Sequence, residues 1–186
     1  MKPWTAMKLW TLDDIPWQQF DRSRVDPDLV KLVKAASMVE HNAPDYATYL
    51  CNVFHDDPGF QKLARAWAEE EVRHGRALGR WAKLADPDFD FEASFKRYTD
   101  GFRVPIEVSE SVRGSLTGEL LARCVVETGT SSYYTAIRRA TTEPVLHELC
   151  RRIAADELRH YKTFYELSKR YRAQEGVGLG NRIRVV

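Results

Sequence analysis

One short pattern occurs twice in this chain, and it restricts the fold more than any other feature. Glu70-Glu71-Val72-Arg73-His74 and Asp156-Glu157-Leu158-Arg159-His160 share an acid, a glutamate, an arginine and a histidine in the same order. Each copy has a glutamate upstream at nearly the same distance. Glu40 precedes Glu71 by 31 residues, and Glu127 precedes Glu157 by 30. On a helix, positions i and i+3 project from one face. Glu71 with His74, and Glu157 with His160, can therefore each grip one ion from adjacent turns. The chain reads as a doubled unit whose four helices bring six side chains together.

The hydrophobic pattern around these residues is helical. A first helix is expected from Asp26-Pro27, where aspartate caps free amides and proline suits the first helical position. Val30, Val33, Ser37 and Glu40 share its inward stripe. Pro44 removes the hydrogen bond to the Glu40 carbonyl and should kink the helix there, before it resumes through Tyr46, Tyr49 and Phe54. A second helix is expected from Asp57-Pro58 to about Leu84, with Leu63, Trp67, Glu71, His74 and Leu78 inward. A third starts near Ser115 to Glu119 and turns Leu120, Cys124, Glu127, Thr130 and Tyr134 inward. The turn at Thr141-Thr142-Glu143-Pro144 opens a fourth, with Leu149, Ile153, Glu157, His160 and Phe164 inward, fading near Tyr171.

Between the second and third helices, residues 86 to 114 carry Pro87, Pro105, Gly101 and Gly114, with room for a short helix. A helix of about 28 residues is roughly 42 Å long. A chain that must return to the same end needs a connection of this size. The expected fold is all-α, an antiparallel four-helix bundle with one long crossover. Residues 1–25 form an arm whose Trp4, Trp10 and Trp17 pack on the bundle. Residues 26–172 form the bundle, and 173–186 a flexible, glycine-containing tail.

The bulk numbers agree with one soluble domain of 186 residues with 44% hydrophobic and 30% charged content. A net charge of +1 offers no general attraction for nucleic acid or an anionic membrane. No apolar run reaches the roughly 18–20 residues of a membrane span, and residues 1–20 lack a signal-peptide pattern. Cys51, Cys124 and Cys150 are widely spaced, which fits a reducing, cytoplasmic setting and excludes a rubredoxin-type iron module from this chain.

A single E-x-x-H on a helix is ordinarily a solvated ion pair. Two copies, each with its inward glutamate, point to a dinuclear metal site of Glu40, Glu71, His74, Glu127, Glu157 and His160. Burying four carboxylates is very costly without compensation. Two divalent cations would neutralise them with both imidazoles neutral. Oxygen ligands with imidazole suit iron or manganese. Iron is the first choice, with manganese–iron or other divalent pairs as alternatives. Metal-bound histidines usually give their second ring N–H to an acid. Glu70 and Asp156 directly precede ligand glutamates, so Asp156 should meet His74 and Glu70 should meet His160 across the helices. Arg73 and Arg159 could neutralise those acids. Trp67, one turn before Glu71, could pack on the site or carry electrons. His41, His55 and His147 lie off the stripes and should be at the surface.

These residues carry a resemblance. The chain is similar to the ferritin-like di-iron carboxylate superfamily, and within it most resembles soluble acyl-carrier-protein desaturases. Trp67-Ala68-Glu69-Glu70-Glu71-Val72-Arg73-His74-Gly75 matches their W-x-x-E-E-x-R-H-G segment. Glu40 with Pro44 and Tyr46 matches E-x-x-x-P-x-Y, Glu127 with Thr130 matches E-x-x-T, and 156–160 matches D-E-x-R-H. The resemblance implies a di-iron, O2-activating oxidase or oxygenase, desaturase-like or hydroxylase-like, acting on an apolar organic substrate. Thr130 is then the residue that assists proton delivery. A ferredoxin-type donor would supply electrons, and the chain would form a homodimer. An acyl-carrier protein is left open, because this chain is much shorter than those enzymes. Ferroxidase or iron storage, and peroxide reduction, are the alternatives; hydroxylation of a tRNA base draws no support from the charge.

Overall fold

The computed structural model describes residues 9–176. Those residues are all-helical, with no strand. Three 3-10 turns, Leu12–Asp14, Trp17–Gln19 and Arg22–Arg24, lead into α1 (Pro27–His41), α2 (Ala43–Val53), α3 (Pro58–Ala85), α4 (Phe91–Gly101), α5 (Leu116–Ala140) and α6 (Pro144–Glu175).

The helix starts follow capping chemistry. Asp26 accepts from the amide of Asp28, Asp57 from Phe60 and Ser115 from Gly118, each satisfying a free amide of the first turn. The break at Asn42 separates α1 from α2 immediately after Glu40. Pro44 has no N–H to offer the Glu40 carbonyl, so the ladder restarts. The α6 cap is Glu143 rather than a threonine. Its carboxylate accepts from the Val145 and Leu146 amides, from Trp81 Nε1 at 2.7 Å and from the Asp21 amide at 3.1 Å. One buried acid thus ties the arm, α3 and α6 together.

α1 and α2 pack along α3, α5 packs along α6, α3 meets α6, and α4 lies against α1. Two apolar clusters fill the interior. One holds Val33, Leu78, Trp81, Ile137, Leu149 and Ile153. The other holds Leu50, Phe54, Phe60, Leu120, Phe164 and Tyr171. Every long helix runs from one cluster to the other. α3 and α5 both start at the second cluster, while α6 and the α1–α2 pair start at the first. α3 therefore ends at the far end from where α5 begins. α4 and the segment 102–115 carry the chain back along the molecule. That segment is tied down by Asn52 Nδ2 on the Ile106 carbonyl at 2.7 Å, by the Val112 amide on the Tyr49 hydroxyl at 3.2 Å and by Ser111 on Glu119 at 2.8 Å.

Some expectations need adjustment. α6 runs to Glu175, past Tyr171, where the Glu175 carboxylate accepts from the Leu116 and Thr117 amides at the start of α5. Of the tail, residues 177–186 lie outside the described residues, as does Trp4. His55 and His147 are exposed, and His41 is half-buried. α4 covers it, with Phe91 and Phe95 edge-on to its ring at 5.1 and 4.8 Å.

Candidate metal centre

Between the two apolar clusters lies a polar layer, one turn deep on each helix. α1 delivers Glu40 to it, α3 Glu71 and His74, α5 Glu127, and α6 Glu157 and His160. All six are buried. Their ligand atoms form two overlapping groups: Glu40, Glu71, His74 and Glu157, and Glu71, Glu127, Glu157 and His160. Within each group the atoms lie within 4.8 Å of one another. Glu71 and Glu157 belong to both, as bridging carboxylates would.

The histidines are oriented by their outer nitrogens. His74 Nδ1 faces Glu71 at 3.0 Å and Glu157 at 3.1 Å, while Nε2 meets Asp156 Oδ2 at 3.0 Å. His160 Nδ1 faces Glu71 at 2.9 Å and Glu127 at 3.5 Å, while its Nε2 lies 3.5 Å from Glu70. Each ring thus presents Nδ1 to the carboxylates and turns Nε2 to an acid on the opposite helix. Arg159 joins those two outer acids, at 2.7 Å from Glu70 and 2.5 Å from Asp156, and Arg73 lies 3.1 Å from Glu70. The two arginines balance two acids at the rim of the layer, so the inner acids are left to be balanced by something else.

The electrostatics express that lack of balance. Burial pushes Glu40 well above the usual carboxylate range, and the charges of Glu71 and Glu157 add to it. Burial likewise lifts Glu127 to about 8. Burial opposes the charged forms of Glu71 and of both histidines. Even so, the two imidazoles hold Glu71 well below its ordinary value, Asp156 with Glu157 and Glu71 holds His74 well above its own, and Glu71 with Glu127 does the same for His160. Glu127 Oε1 is buried with no hydrogen-bond partner. An orphaned carboxylate oxygen among convergent acids and imidazoles suits a divalent cation. The donor set therefore fits a metal pair.

Four contacts were not foreseen from the sequence. Tyr134 donates its hydroxyl to Glu40 in a short hydrogen bond. Trp10, expected only to pack, donates Nε1 to Asp156 at 2.7 Å and stacks on His74 with 5.8 Å between ring centroids. The Arg73 guanidinium also lies over that indole, 4.8 Å from its ring centre. No local pattern marks Trp10, since its partner lies 146 residues away. Trp67 packs edge-on against Phe164 at 5.8 Å, and its buried Nε1 has no partner.

A cleft of about 130 Å3 leads to the layer between α1, α2 and α5. Glu40, Glu71, Glu127 and Glu157 form its polar part, with Trp67, Ala43 and Val126 as apolar wall. Thr130 also lines it and donates to Glu157 Oε2 at 3.0 Å.

A profile described as fatty acid desaturase matches residues 3–175, nearly the whole chain. The chain belongs to the fatty acid desaturase family. No curated protein and no solved structure gives a significant match. Family membership makes this chain a desaturase-like oxidase, and hence an oxidoreductase. The buried Glu and His groups of this desaturase-family chain are compatible with metal binding. Among the described residues no helix is long and apolar enough to cross a membrane.

Proposed function

We propose that this desaturase-family chain is a di-iron enzyme that uses O2 to oxidise an apolar organic substrate, built as a ferritin-like four-helix bundle. The observation that carries the proposal is the pair of four-residue groups sharing Glu71 and Glu157, reached by a cleft with apolar walls. Glu40, Glu71, His74 and Glu157 would hold one ion, and Glu71, Glu127, Glu157 and His160 the other. A bound iron pair would supply the electrons that reduce dioxygen.

The chain's own residues would do the rest. Asp156 and Glu70 fix the tautomer of His74 and His160, so that both rings keep Nδ1 free for an ion. The two apolar clusters above and below the layer exclude water from it. Thr130 holds a hydroxyl on the cleft side of Glu157, where it can pass a proton to a group bound there. Electrons would come from a ferredoxin-type donor, and the working unit would be a cytoplasmic homodimer. The three cysteines are free and buried, which supports a reducing compartment.

The test is metal analysis of the purified protein, followed by rapid mixing of the Fe(II)-loaded protein with O2, with and without medium-chain acyl substrates. Two irons per chain and a substrate-dependent optical transient are expected. Failure to bind two metals per chain would defeat the reading. A very large assembly on size-exclusion chromatography, with iron turnover indifferent to substrate, would show an iron-storing protein instead.

A further inference from the structure

The cleft beside the acidic layer has a charged residue that the reading above does not use. Arg123 lies on α5 one turn before Glu127, about 6 Å of helix rise away. It lines the cleft opposite Val39 and Tyr46. Its guanidinium carbon sits 5.1 Å from the centre of the Tyr46 ring. Its Nε is buried and makes no hydrogen bond. Among the described residues no carboxylate forms an ion pair with it. The other half-buried arginines near the layer, Arg73 and Arg159, are each paired with acids.

An arginine held against a ring, with a buried N–H unused, is a fork waiting for an acceptor. The contact with the ring restrains the side chain, so less of its freedom is lost when an anion docks. The surrounding wall is apolar: Val39 and Val126 are partly exposed at the mouth, and Ala43 and Trp67 lie deeper. The cleft is well below the several hundred Å3 of pockets that enclose drug-sized ligands. A ligand held here is small, or only one end of it enters.

Resting on the di-iron reading, we propose that Arg123 is a specificity-determining residue that binds the carboxylate of a small, free carboxylic acid substrate. The acid's hydrocarbon part then lies along Val126 and Ala43. A carbon a few bonds from the carboxylate reaches the layer at Glu127 and Thr130. An uncharged ester or carrier-bound thioester would leave the guanidinium unmatched, so the free acid is the preferred form. The proposal concerns recognition and adds no chemical step.

The test uses the full chain loaded with Zn(II), which is redox-inert, and isothermal titration with hexanoate and with 1-hexanol. Wild-type protein should bind hexanoate more tightly than hexanol. Arg123→Gln should weaken hexanoate about tenfold or more, the loss expected for one charge-assisted hydrogen-bonded contact. It should leave hexanol within about twofold, and Arg123→Lys should recover part of the loss. A general structural defect would weaken both ligands together and would overturn the assignment. So would equal binding of hexanoate by wild type and Arg123→Gln, or no preference for hexanoate over hexanol in the wild type. Zinc content is measured on the same samples. Loss of metal binding in the wild type counts against the di-iron reading, while full loading without hexanoate preference counts against Arg123 alone.

Discussion

Replacing Asp156 with asparagine should weaken one metal position and spare the other. Asp156 accepts from His74 Nε2 at 3.0 Å, from Trp10 Nε1 at 2.7 Å and from Arg159 at 2.5 Å. Burial works against its charge, yet His74 and Arg159 hold its carboxyl well below the usual range. An asparagine keeps the shape and one acceptor oxygen but removes the charge that makes the imidazole a stronger donor to a cation. Losing such an outer partner typically lowers metal affinity 10–100-fold, about 1.4–2.7 kcal/mol. His74 belongs only to the group with Glu40, and His160 only to the group with Glu127. Anaerobic titration with Mn(II) or Fe(II) against a competing chelator should therefore show two equivalents per chain in the wild type. In Asp156→Asn one equivalent should weaken by that factor, and the other should stay within about twofold. Glu70→Gln should weaken the opposite equivalent. Circular dichroism should confirm unchanged helix content. Equal weakening of both positions, or no weakening in a folded variant, would refute the division of labour between the two outer acids.

A methyl group at Gly75 would lie 2.7 Å from the His41 amide and 2.8 Å from the Ser37 carbonyl, both backbone atoms of α1. Gly75→Ala should therefore cost about 1–3 kcal/mol and lower the melting temperature, whereas Gly129→Ala, which meets nothing within 4 Å, should be neutral or slightly stabilising; equal melting temperatures would contradict the close approach of α1 and α3. Glu143→Ala removes the α6 cap and strands the Trp81 N–H, so a loss of about 2–4 kcal/mol, read as a fall of roughly 5–15 °C in melting temperature, is expected. A fall below about 2 °C would show that Glu143 does not carry this junction. Glu148 is held at about 2 by hydrogen bonds to Arg151 and Arg152, below its ordinary 4.5. Its folded value is depressed, so its contribution is present above pH 4.5 and is lost as pH falls toward 2. The three side chains are only part-buried and solvent screens them, so the effect is about 1 kcal/mol or less. Acid unfolding of Glu148→Gln should be less steep in that window, and an identical profile would refute the pairing.

The helical positions were legible because each rests on a local rule. Asp26, Asp57 and Ser115 cap helices through amides two or three residues away, and the inward stripes repeat every three to four residues. The convergence of the six acidic and imidazole side chains was legible for the same reason, since each already lay on an apolar stripe where an uncompensated charge does not belong. The outer acids were legible from their place beside the ligand glutamates. Trp10 was not, because its bond to Asp156 depends on how an irregular arm lies across α3 and α6. The partial cover of His41 was not legible because it comes from α4, whose position no periodicity in α1 encodes. Glu143 read as part of a turn, while its bonds to Trp81 and Asp21 exist only once three segments meet.

By itself, the amino-acid order determined which residues share a helix face, where the helices start and break, and that six metal-capable side chains share one interior layer. These follow from backbone geometry within a few residues. Only the tertiary structure decided which ring nitrogen each outer acid meets, that Trp10 and Tyr134 bond to Asp156 and Glu40, and that Arg123 lines the cleft without an acidic partner. Those contacts join residues 82 to 146 positions apart or depend on what is missing nearby. Hydrogen-bond direction and unmatched charge are properties of the assembled packing, not of any single helix.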